Sequence, residues 1–306
     1  MTEKSSNKAP RNRTLSLSSN DRKTLSKKLQ CDLMDMEGVI NGDTFALSKK
    51  LPKNCIDLLI LDPPYNLTKT FGKESFSSRS TEDYQDWIES YLEIITPALK
   101  STATIYVCGD WLSSASLFPA LDKYFKIRNR ITWEREKGRG SKTNWKNCSE
   151  DIWYCTMGDD FKFFPDRVRL RRKVLAPYKD SAGKPKDWIN QGNKKFRDTA
   201  PSNLWSDITI PFWSMPENTD HPTQKPEKLI AKLILSSSDE EDLVFDPFLG
   251  SGTTAVVAKK LKRRYLGFEK DLEYCLYALK RLEKATTDSS IQGYNHEVFW
   301  ERNSCN

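Results

Sequence analysis

The chain has 306 residues, of which 37% are hydrophobic and 11% aromatic, enough for the core of one large α/β domain or of two small domains. This composition excludes an intrinsically disordered protein. Seven cysteines without CxxC spacing and only two histidines argue against a disulfide framework and against a zinc or His-based metal site. The sequence has no apolar run of 18 residues and no signal-peptide pattern, and it predicts a soluble, cytoplasmic protein.

The formal net charge of +7 is concentrated in two blocks. Residues 1–30 hold eight Lys or Arg and two Asp or Glu, a net +6, and residues 161–200 hold twelve and four, a net +8. The remainder of the chain therefore carries a net −7, since 7 − 14 = −7. Concentrated positive charge is what a nucleic-acid partner requires.

Residues 1–30 lack apolar periodicity and predict a disordered basic arm, which either contacts DNA or serves as a solubilising tail. An α/β pattern begins with a short strand at residues 39–43 and a brief helix through Leu47 and Leu51. The strand Ile56–Leu61 follows, and its apolar run is typical of a parallel strand buried on both faces.

The residues Asp62-Pro63-Pro64-Tyr65 come directly after that strand, at the edge where open α/β sheets bind ligands. The two prolines end the strand ladder and predict a rigid turn that presents a carboxylate, carbonyl oxygens and an aromatic ring. An ordinary strand-end turn favours the same residue types, so this tetrad alone leaves both interpretations open.

Helix and strand patterns then alternate as far as residue 160. The predicted elements are a polar loop at 68–83, a helix at 84–99, a strand at 102–108, a helix at 111–124 and strands at 127–133 and 151–156. From about Phe161 to Met215 the periodicity fails and basic residues are interleaved with aromatic ones, which predicts an inserted recognition region outside the sheet. The α/β pattern returns at Pro226, with strands at 243–246 and 265–269 and helices at 253–261 and 272–282.

A glycine loop follows the strand at 243–246, with the sequence Asp-Pro-Phe-Leu-Gly-Ser-Gly-Thr-Thr. It lacks the Lys of a Walker A loop and the third glycine of a dinucleotide fingerprint, which leaves a smaller anion such as an amino-acid carboxylate. Glu269 ends the next strand, where a carboxylate can bind a ribose diol. A ligand that carries both groups is S-adenosylmethionine; the alternative is a structural glycine turn.

Three motifs together resemble the amino-methyltransferases that modify DNA: Asp62–Tyr65, Phe248–Gly252 and the segment His-Pro-Thr-Gln-Lys-Pro at 221–226. Their order along the chain, with the basic insertion after the first motif, is similar to the β class, which includes many restriction–modification adenine methyltransferases. The resemblance runs from about Val39 to Leu282. It implies an α/β fold, a doubly wound, mostly parallel Rossmann-like methyltransferase sheet with an inserted target-recognition region.

The resemblance divides the chain into five expected segments. They are a disordered basic arm (1–30), the catalytic half of the methyltransferase domain (31–160), the target-recognition insertion (161–215), the cofactor-binding half of the same domain (216–285) and a C-terminal tail (286–306).

The implied reaction is methyl transfer from S-adenosylmethionine to the exocyclic N6 of adenine in a specific duplex DNA sequence, after the base is flipped out of the helix. The catalytic residues would be Asp62, Pro63, Pro64 and Tyr65. Hydrogen bonds from the amino group to the Asp62 carboxylate and the Pro63 carbonyl would localise the lone pair on the amino nitrogen, which makes it a better nucleophile. Tyr65 would stack on the base. Trp133 and Trp153 could form the other wall of the base pocket, although core packing is the favoured role for both.

The resemblance also assigns cofactor and DNA contacts to matching positions. The cofactor-binding residues would be Asp43, Asp62, His221, Thr223, Lys225, Asp246, Phe248, Gly250, Ser251, Gly252, Thr253 and Glu269. Asp43 would lie near the adenine of the cofactor and Glu269 on its ribose; Lys225 could reach the methionine carboxylate. Alternatives are a capping role for His221 and an orienting role for Asp246. The DNA-binding candidates are Lys137, Arg139, Lys142, Arg167, Arg169, Arg171, Arg172, Lys173 and Arg197. For each arginine from Arg167 to Arg197 a solvated charge or a phosphate contact is the favoured role, and a bidentate contact to guanine is the alternative.

The expected partner is double-stranded DNA at the bacterial nucleoid, with a cognate restriction endonuclease and a homodimer as further candidates. Asp62 favours adenine, because the cytosine-N4 enzymes of the family usually have Ser at that position; an N4-cytosine DNA methyltransferase is the alternative function. Methylation at carbon five of cytosine is disfavoured, since no Pro-Cys dipeptide occurs. RNA and protein amide methyltransferases typically have Asn as the first residue of the catalytic motif and carry the cofactor loop ahead of that motif. Both features differ in this sequence, which disfavours these two classes. A non-catalytic DNA-binding module that kept the fold is the remaining alternative.

Overall fold

The computed structural model describes residues 9–29, 33, 36–71, 74–135, 140, 142–174, 178–184, 186–191 and 194–302. In chain order the strands are β1 Gly38–Asn41, β2 Ile56–Leu61, β3 Lys69–Phe71, β4 Glu74–Phe76, β5 Leu99–Gly109, β6 Lys126–Glu134, β7 Ser149–Thr156, β8 Leu170–Lys173, β9 Ile189–Gln191, β10 Lys194–Thr199, β11 Leu204–Trp205, β12 Leu243–Asp246, β13 Arg264–Glu269, β14 Tyr294–Asn295 and β15 Val298–Trp300. The helices are α1 Ser19–Ser26, α2 Thr44–Ser48, α3 Thr81–Ile95, α4 Ser113–Tyr124, α5 Glu227–Ser237, α6 Thr253–Lys260 and α7 Leu272–Ala285, with 3₁₀ turns at Thr96–Ala98 and Pro165–Val168.

Eight strands form the central sheet, in the spatial order β1-β13-β12-β2-β5-β7-β6-β11. All neighbouring pairs are parallel except the two that involve β7, which runs against β5 and β6. The expected mostly parallel, doubly wound α/β sheet is therefore confirmed. Because β1, β2, β12 and β13 run in the same direction, their carboxyl ends meet at one edge of the sheet.

Strand β2 is buried on both faces, which explains its continuous apolar sequence. Leu59 and Leu61 belong to a core that includes residues of α3 and α4. Leu58 and Ile60 lie on the other face, in a second core with residues of α5. Since successive strand residues point to opposite faces, this alternation places helices on both sides of the sheet and fixes the register at which β2 ends.

The expectation of a disordered arm at 1–30 is wrong for residues 9–29. Ser18 caps α1 through the backbone N–H of Asp21, and the Asp21 side chain accepts from the backbone of Ser18 in return. Leu25 is 1% exposed and packs with residues of α7. Leu15 and Leu17 join Leu25 in this cluster. Three apolar residues in this segment are too few to create the periodicity by which a helix is recognised in a sequence. Residues 1–8 lie outside the described residues.

A second sheet of five strands, in the order β14-β15-β8-β10-β9, combines the insertion with the C-terminal residues. β15 pairs in parallel with β8, so the expected tail at 286–306 is in part a structural element. The insertion is also not wholly separate from the central sheet, because β11 pairs with β6 there. Strands of only three to six residues, such as β9 and β10, have too few alternating apolar and polar residues to be predicted from sequence.

Candidate active site

A rigid turn presents Asp62 at the end of β2. Pro63 and Pro64 have no backbone N–H and cannot extend the strand ladder. Tyr84 of α3 donates its hydroxyl to the Pro64 carbonyl oxygen at 3.0 Å. Since the Pro64 carbonyl is engaged in this way, the Asp62 carboxylate and the Pro63 carbonyl are the candidate acceptors that the turn offers to a substrate.

Asn66 fixes the chain that leaves the turn. Its side-chain amide donates to the Arg79 carbonyl at 3.0 Å, and its Oδ1 accepts from the Arg79 backbone N–H at 2.7 Å. Its own backbone N–H donates to Ser113 Oγ at 3.0 Å. The loop that contains β3 and β4 is thus tied at both ends to the turn, a role that its polar sequence did not reveal.

Lys225 lies directly on the Asp62 carboxylate. Its Nζ is 2.7 Å from both Oδ1 and Oδ2, and the lysine side chain is only 9% exposed. The resemblance gives Lys225 a possible contact with the methionine carboxylate of the cofactor; in this structure its ammonium group binds the Asp62 carboxylate. The two residues are 163 positions apart in the chain, and the contact is made because β2 and the start of α5 meet at the same edge.

Glu150, which the sequence did not single out, completes this cluster from the first residues of β7. Its Oε2 accepts from the Tyr65 hydroxyl at 3.0 Å and lies 3.5 Å from Lys225 Nζ. Its Oε1 binds Arg135 at 2.5 Å. The Tyr65 hydroxyl also lies 3.2 Å from Asp62 Oδ1. The only signal in the sequence is a pair of acidic residues at the start of an otherwise apolar strand.

The charges of this cluster shift one another's protonation. Burial, with the nearby Glu150 carboxylate, raises the pKa of Asp62 although Lys225 opposes the shift. Burial likewise disfavours ionised Glu150, yet Lys225 and Arg135 outweigh it and hold the pKa of Glu150 below its usual value. The pKa of Lys225 is raised, because Asp62 and Glu150 together outweigh the effect of burial. Lys225 is therefore a permanent cation beside two carboxylates.

The glycine loop between β12 and α6 requires its two glycines. Gly250 has φ +54° and Gly252 has φ +86°, both in the left-handed region. A Cβ on Gly252 would lie 2.5 Å from the Cβ of Ala278, so Gly252 permits close packing on α7. The Gly250 N–H donates to Glu269 Oε2 at 2.7 Å, while Glu269 Oε1 accepts from the Asp271 N–H at 2.8 Å. Glu269 thus organises the loop, and burial raises its pKa.

Asp246, the last residue of β12, is also tied into this loop. Its Oδ1 accepts from the Phe248 N–H at 3.0 Å and its Oδ2 from the Thr254 hydroxyl at 2.6 Å. Burial, and the proximity of Asp62 and Glu269, raise its pKa to about 7. Both bonds agree with the orienting role that was the alternative for this residue.

The segment 221–226 holds the glycine loop from the other side. A Cβ on Gly250 would lie 2.9 Å from His221 Nε2, so the imidazole ring covers this glycine. The same ring packs edge-on against Tyr274, with 4.4 Å between centroids. Gln224 accepts from Thr219 through Oε1 at 2.6 Å and from Ser251 at 3.4 Å, which joins the two motifs directly. Gln224 belongs to the motif but was not assigned a role from the sequence.

One cleft of about 380 Å³, open to solvent, connects the three motifs. Its lining contains nine of the twelve expected cofactor residues, namely Asp62, His221, Thr223, Lys225, Asp246, Phe248, Gly250, Ser251 and Thr253. It also contains residues that were not expected, namely Ile60, Cys108, Gln224, Ile230, Leu249 and Thr254.

The other three expected cofactor residues lie around the cleft. Glu269 does not line the cleft but accepts a hydrogen bond from the backbone N–H of Gly250, which does. Gly252 packs against α7. Asp43 is exposed and caps α2 through the Ala46 N–H at 3.0 Å. Within the lining, Thr253 already uses its hydroxyl, which donates to the Lys225 carbonyl and accepts from Arg281.

Trp133 and Trp153 are buried and serve the core. Trp133 is 1% exposed and donates its indole N–H to the Ile208 carbonyl at 3.1 Å. Trp153 is 8% exposed and packs on Phe118, with 5.3 Å between ring centroids.

The DNA-binding candidates are distributed over the second sheet and its approaches. Four of them pair with carboxylates: Arg167 with Asp239, Arg169 with Asp166, Arg171 with Asp198 and Arg197 with Asp187. Lys142 and Lys173 are exposed, and Arg172 is half-buried. Lys137 and Arg139 lie outside the described residues. The Arg171 side chain is only 15% exposed and joins β8 to β10, which makes it part of the sheet's own structure.

Among the described residues, no three His, Cys, Asp or Glu side chains are grouped to hold a metal ion. In the same part of the chain, no helix combines the length and apolarity that a membrane crossing needs.

A sequence model of the family described as DNA methylase, N6_N4_Mtase, matches residues 56–280. The chain is 31% identical over 260 residues to the DNA adenine methyltransferase YhdJ of Escherichia coli (strain K12), an alignment that covers 81% of this chain and 83% of YhdJ. It is 32% identical over 246 residues to the Type II methyltransferase M.BglII of Bacillus subtilis, covering 77% of this chain and 66% of M.BglII, slightly under two thirds of that protein.

Two solved structures have a similar fold. The PvuII DNA methyltransferase (cytosine-N4-specific) aligns with a TM-score of 0.62 at 21% identity, covering 82% of this chain and 90% of that one. M1.HpyAVI, solved as a complex with SAM, aligns with a TM-score of 0.52 at 20% identity, covering 80% and 98%.

Proposed function

The chain belongs to the DNA methylase family, and from that membership we propose that it transfers a methyl group from S-adenosylmethionine to the exocyclic N6 of adenine in a specific duplex DNA sequence. The observation that carries this proposal is the single cleft that joins Asp62 to the glycine loop. An acceptor for an amino group and a loop suited to a small anion then face the same space. A reaction between two bound molecules requires that proximity.

The residues that line the cleft fit S-adenosylmethionine in their chemistry. The Thr223 and Ser251 hydroxyls lie beside the apolar Phe248 ring, and the positive φ of Gly250 lets the loop turn between them. Gly250, Ser251 and Thr223 would hold the amino-acid end and Glu269 the ribose. When bound there, the cofactor supplies the electrophilic methyl group.

The target amino group would be activated by acceptors fixed at the end of β2. Its lone pair is delocalised into the purine ring, and hydrogen bonds from its two protons to the Asp62 carboxylate and the Pro63 carbonyl would draw the nitrogen toward sp³ geometry. Asp62 would stabilise the positive charge that develops on the nitrogen during transfer. Tyr65 would stack on the flipped base, and the Tyr65 hydroxyl is held for this by Glu150.

Access to Asp62 would require Lys225 to move. Both Asp62 oxygens accept from Lys225 Nζ, so an incoming amino group competes with the lysine for the same acceptors. Glu150 Oε2, at 3.5 Å, is a second carboxylate oxygen within ion-pair distance of the ammonium group. We therefore assign Glu150 a positioning role: it would retain Lys225 within the cluster while Asp62 binds the base.

Adenine rather than cytosine is proposed on two grounds. The first residue of the catalytic tetrad is Asp62, the residue that adenine enzymes of this family usually have there. YhdJ, which is 31% identical, is named a DNA adenine methyltransferase. N4-cytosine methylation is the alternative, and a non-catalytic DNA-binding module is the minor one.

The partner in this proposal is double-stranded DNA at the bacterial nucleoid, recognised through residues 161–215 and the exposed Lys142. A cognate restriction endonuclease is a functional partner in the same proposal, because M.BglII is named a Type II methyltransferase. Homodimer formation is a further proposal, which a sedimentation measurement would test.

The deciding experiment incubates the protein with labelled S-adenosylmethionine and duplex DNA, then digests the DNA to nucleosides. Label in N6-methyladenosine supports the proposal, label in N4-methylcytosine supports the alternative, and no transfer to any DNA would refute both. Asp62→Ala is expected to abolish transfer while calorimetry still detects cofactor binding. Asp86→Ala, an exposed acidic residue on α3, is the matched control and should transfer at the wild-type rate.

A further inference from the structure

Five of the six arginines among the DNA-binding candidates lie in the described residues, and Arg172 is the one of these five for which no ion pair occurs there. Arg167, Arg169, Arg171 and Arg197 each bind a carboxylate. The Nε of Arg172 is buried and has no hydrogen-bond partner. A buried donor without a partner is costly, and its usual explanation is a water or ion that binds there.

Strand pairing places a second guanidinium beside it. Arg172 of β8 lies directly opposite Arg197 of β10, so both side chains project from the same face of the second sheet. The Nε of Arg197 is also buried and unpartnered, although its Nη2 binds Asp187 at 2.9 Å. Like charges directly opposite each other in a sheet are destabilising, unless something negative lies between them.

Two buried lysines of α5, Lys228 and Lys232, add positive charge near Arg172. The side chain of Lys232 is 6% exposed, and its Nζ binds both oxygens of Asp207 at 2.8 and 2.9 Å. Lys228 binds the same carboxylate at 2.7 Å. Lys228, Lys232 and Arg172 are three cations, and Asp207 is the one anion grouped with them, so the four side chains carry a net +2. Burial, with the repulsion of Lys228 and Arg172, lowers the pKa of Lys232 to about 8 even though Asp207 opposes the shift.

These groups border an open cavity of about 240 Å³ between the second sheet and α5. Its lining includes Arg172, Ser202, Trp205, Asp207 and Lys232, which we call the Arg172 notch. Leu204 at its rim is 59% exposed, so the notch can be reached from solvent. A phosphate that enters at this rim would reach the Arg172 guanidinium, whose Nε is buried and has no hydrogen-bond partner.

We propose that the Arg172 notch binds a phosphate group, with the Arg172 guanidinium as its main ligand and the buried lysines as the source of positive potential. Guanidinium matches phosphate because its planar donors bind two oxygens at once. A phosphodiester of the DNA backbone and a free phosphate present the same chemistry. Assignment to DNA rests on the proposed function, whereas phosphate binding itself does not.

The test compares the wild type with Arg172→Gln and with Lys53→Gln, which removes the same charge from an exposed residue in the turn before β2. Thermal unfolding is followed in millimolar phosphate and in chloride of equal ionic strength, without DNA or cofactor. Phosphate at about ten times its dissociation constant should raise the Tm of the wild type and of Lys53→Gln by about 2–4 °C. Arg172→Gln should lose this shift, and without phosphate should unfold no earlier than the wild type, because it removes an unpartnered cation.

The second arm measures duplex DNA affinity against salt concentration. If the notch holds a backbone phosphate, Arg172→Gln should reduce the slope of log K against log salt by about 1, and Lys53→Gln should not. A phosphate-dependent Tm shift without a change in slope would assign the notch to a free phosphate. A shift of equal size in Arg172→Gln, or no shift beyond chloride in the wild type, would overturn the proposal. Neither measurement depends on methyl transfer.

Discussion

The ammonium nitrogen of Lys225 lies 2.7 Å from both carboxylate oxygens of Asp62 and 3.5 Å from Oε2 of Glu150. One buried cation is therefore shared unequally between two carboxylates. The closer carboxylate is the one that the proposed reaction needs as an acceptor. The site has a closed arrangement, with Lys225 on Asp62, and an available second partner for the lysine.

Replacing Lys225 by Met is expected to move the acid limb of methyl transfer to higher pH. Burial raises the pKa of Asp62 and Lys225 lowers it, so without the lysine the Asp62 pKa rises further. The ionised carboxylate, which the proposed reaction needs, would then form only at higher pH. Transfer rates measured from pH 5 to 9 would show the change, and Lys225→Arg, which keeps the cation, should stay near the wild-type profile. An unchanged midpoint in Lys225→Met would contradict a role for this ion pair.

Glu150→Gln is expected to reduce methyl transfer by about 10–100-fold, because it weakens hydrogen bonds to charged groups worth about 1.5–3 kcal/mol. Gln keeps the size of the side chain but provides no negative charge for Lys225 when the base arrives. Single-turnover transfer and cofactor calorimetry should show slower transfer with cofactor affinity unchanged. Equal losses in both quantities would indicate a structural role instead.

Gly250→Ala is expected to weaken cofactor binding about tenfold or more and to destabilise the fold by about 1–2 kcal/mol. Gly250 has φ +54°, and its Cβ would meet the His221 ring at 2.9 Å. Calorimetry with S-adenosylmethionine measures the first effect and urea unfolding the second. Gly140→Ala is the control, because a Cβ there meets nothing within 4 Å. A cofactor affinity in Gly250→Ala equal to that of the control would argue against the loop as the binding surface.

Asp246→Asn is expected to stabilise the protein more at pH 8 than at pH 4. The pKa of Asp246 is raised to about 7 in the folded protein, so the folded state holds this proton more tightly than the unfolded chain. Stability is therefore lost as pH rises from about 4 to about 7, by on the order of 4 kcal/mol. Asn avoids this loss. The free energy of unfolding of wild type and Asp246→Asn, measured with urea at several pH values, tests this prediction. A stability gain that does not depend on pH would contradict a raised pKa at Asp246.

Asp207→Asn should have the opposite effect and serves as the comparison. Lys232 and Lys228 outweigh burial and lower the pKa of Asp207, so its contribution is present above the ordinary carboxylate pKa and disappears in acid. Removing its charge leaves two buried ammonium groups with no anion, at a cost of about 3–5 kcal/mol. The loss measured by urea unfolding should be largest at neutral pH and should shrink as the pH falls.

Local sequence predicted the parts of the site that lie within one strand and its turn. The bounds of β2 and β12 were predicted without error, because both are short apolar runs that end at Asp-Pro or just before it. Glu150 could not be predicted, since it reaches Tyr65 across 85 residues through the pairing of β5 with β7. The contact of Lys225 with Asp62 likewise depends on where α5 begins in space. Such contacts follow from topology, which hydrophobic periodicity does not encode.

The spatial order of the strands has a consequence for synthesis of the chain. In the finished sheet β12 lies between β2 and β13, and β1 pairs with β13. The strand that carries Asp62 leaves the ribosome about 180 residues before the strand that must lie beside it. Until residues 243–269 emerge, both apolar faces of β2 are incompletely covered, and pairing over such separations is slow. The nascent protein is therefore most prone to aggregation or chaperone capture late in translation, when the turn at Asp62 exists but the glycine loop does not.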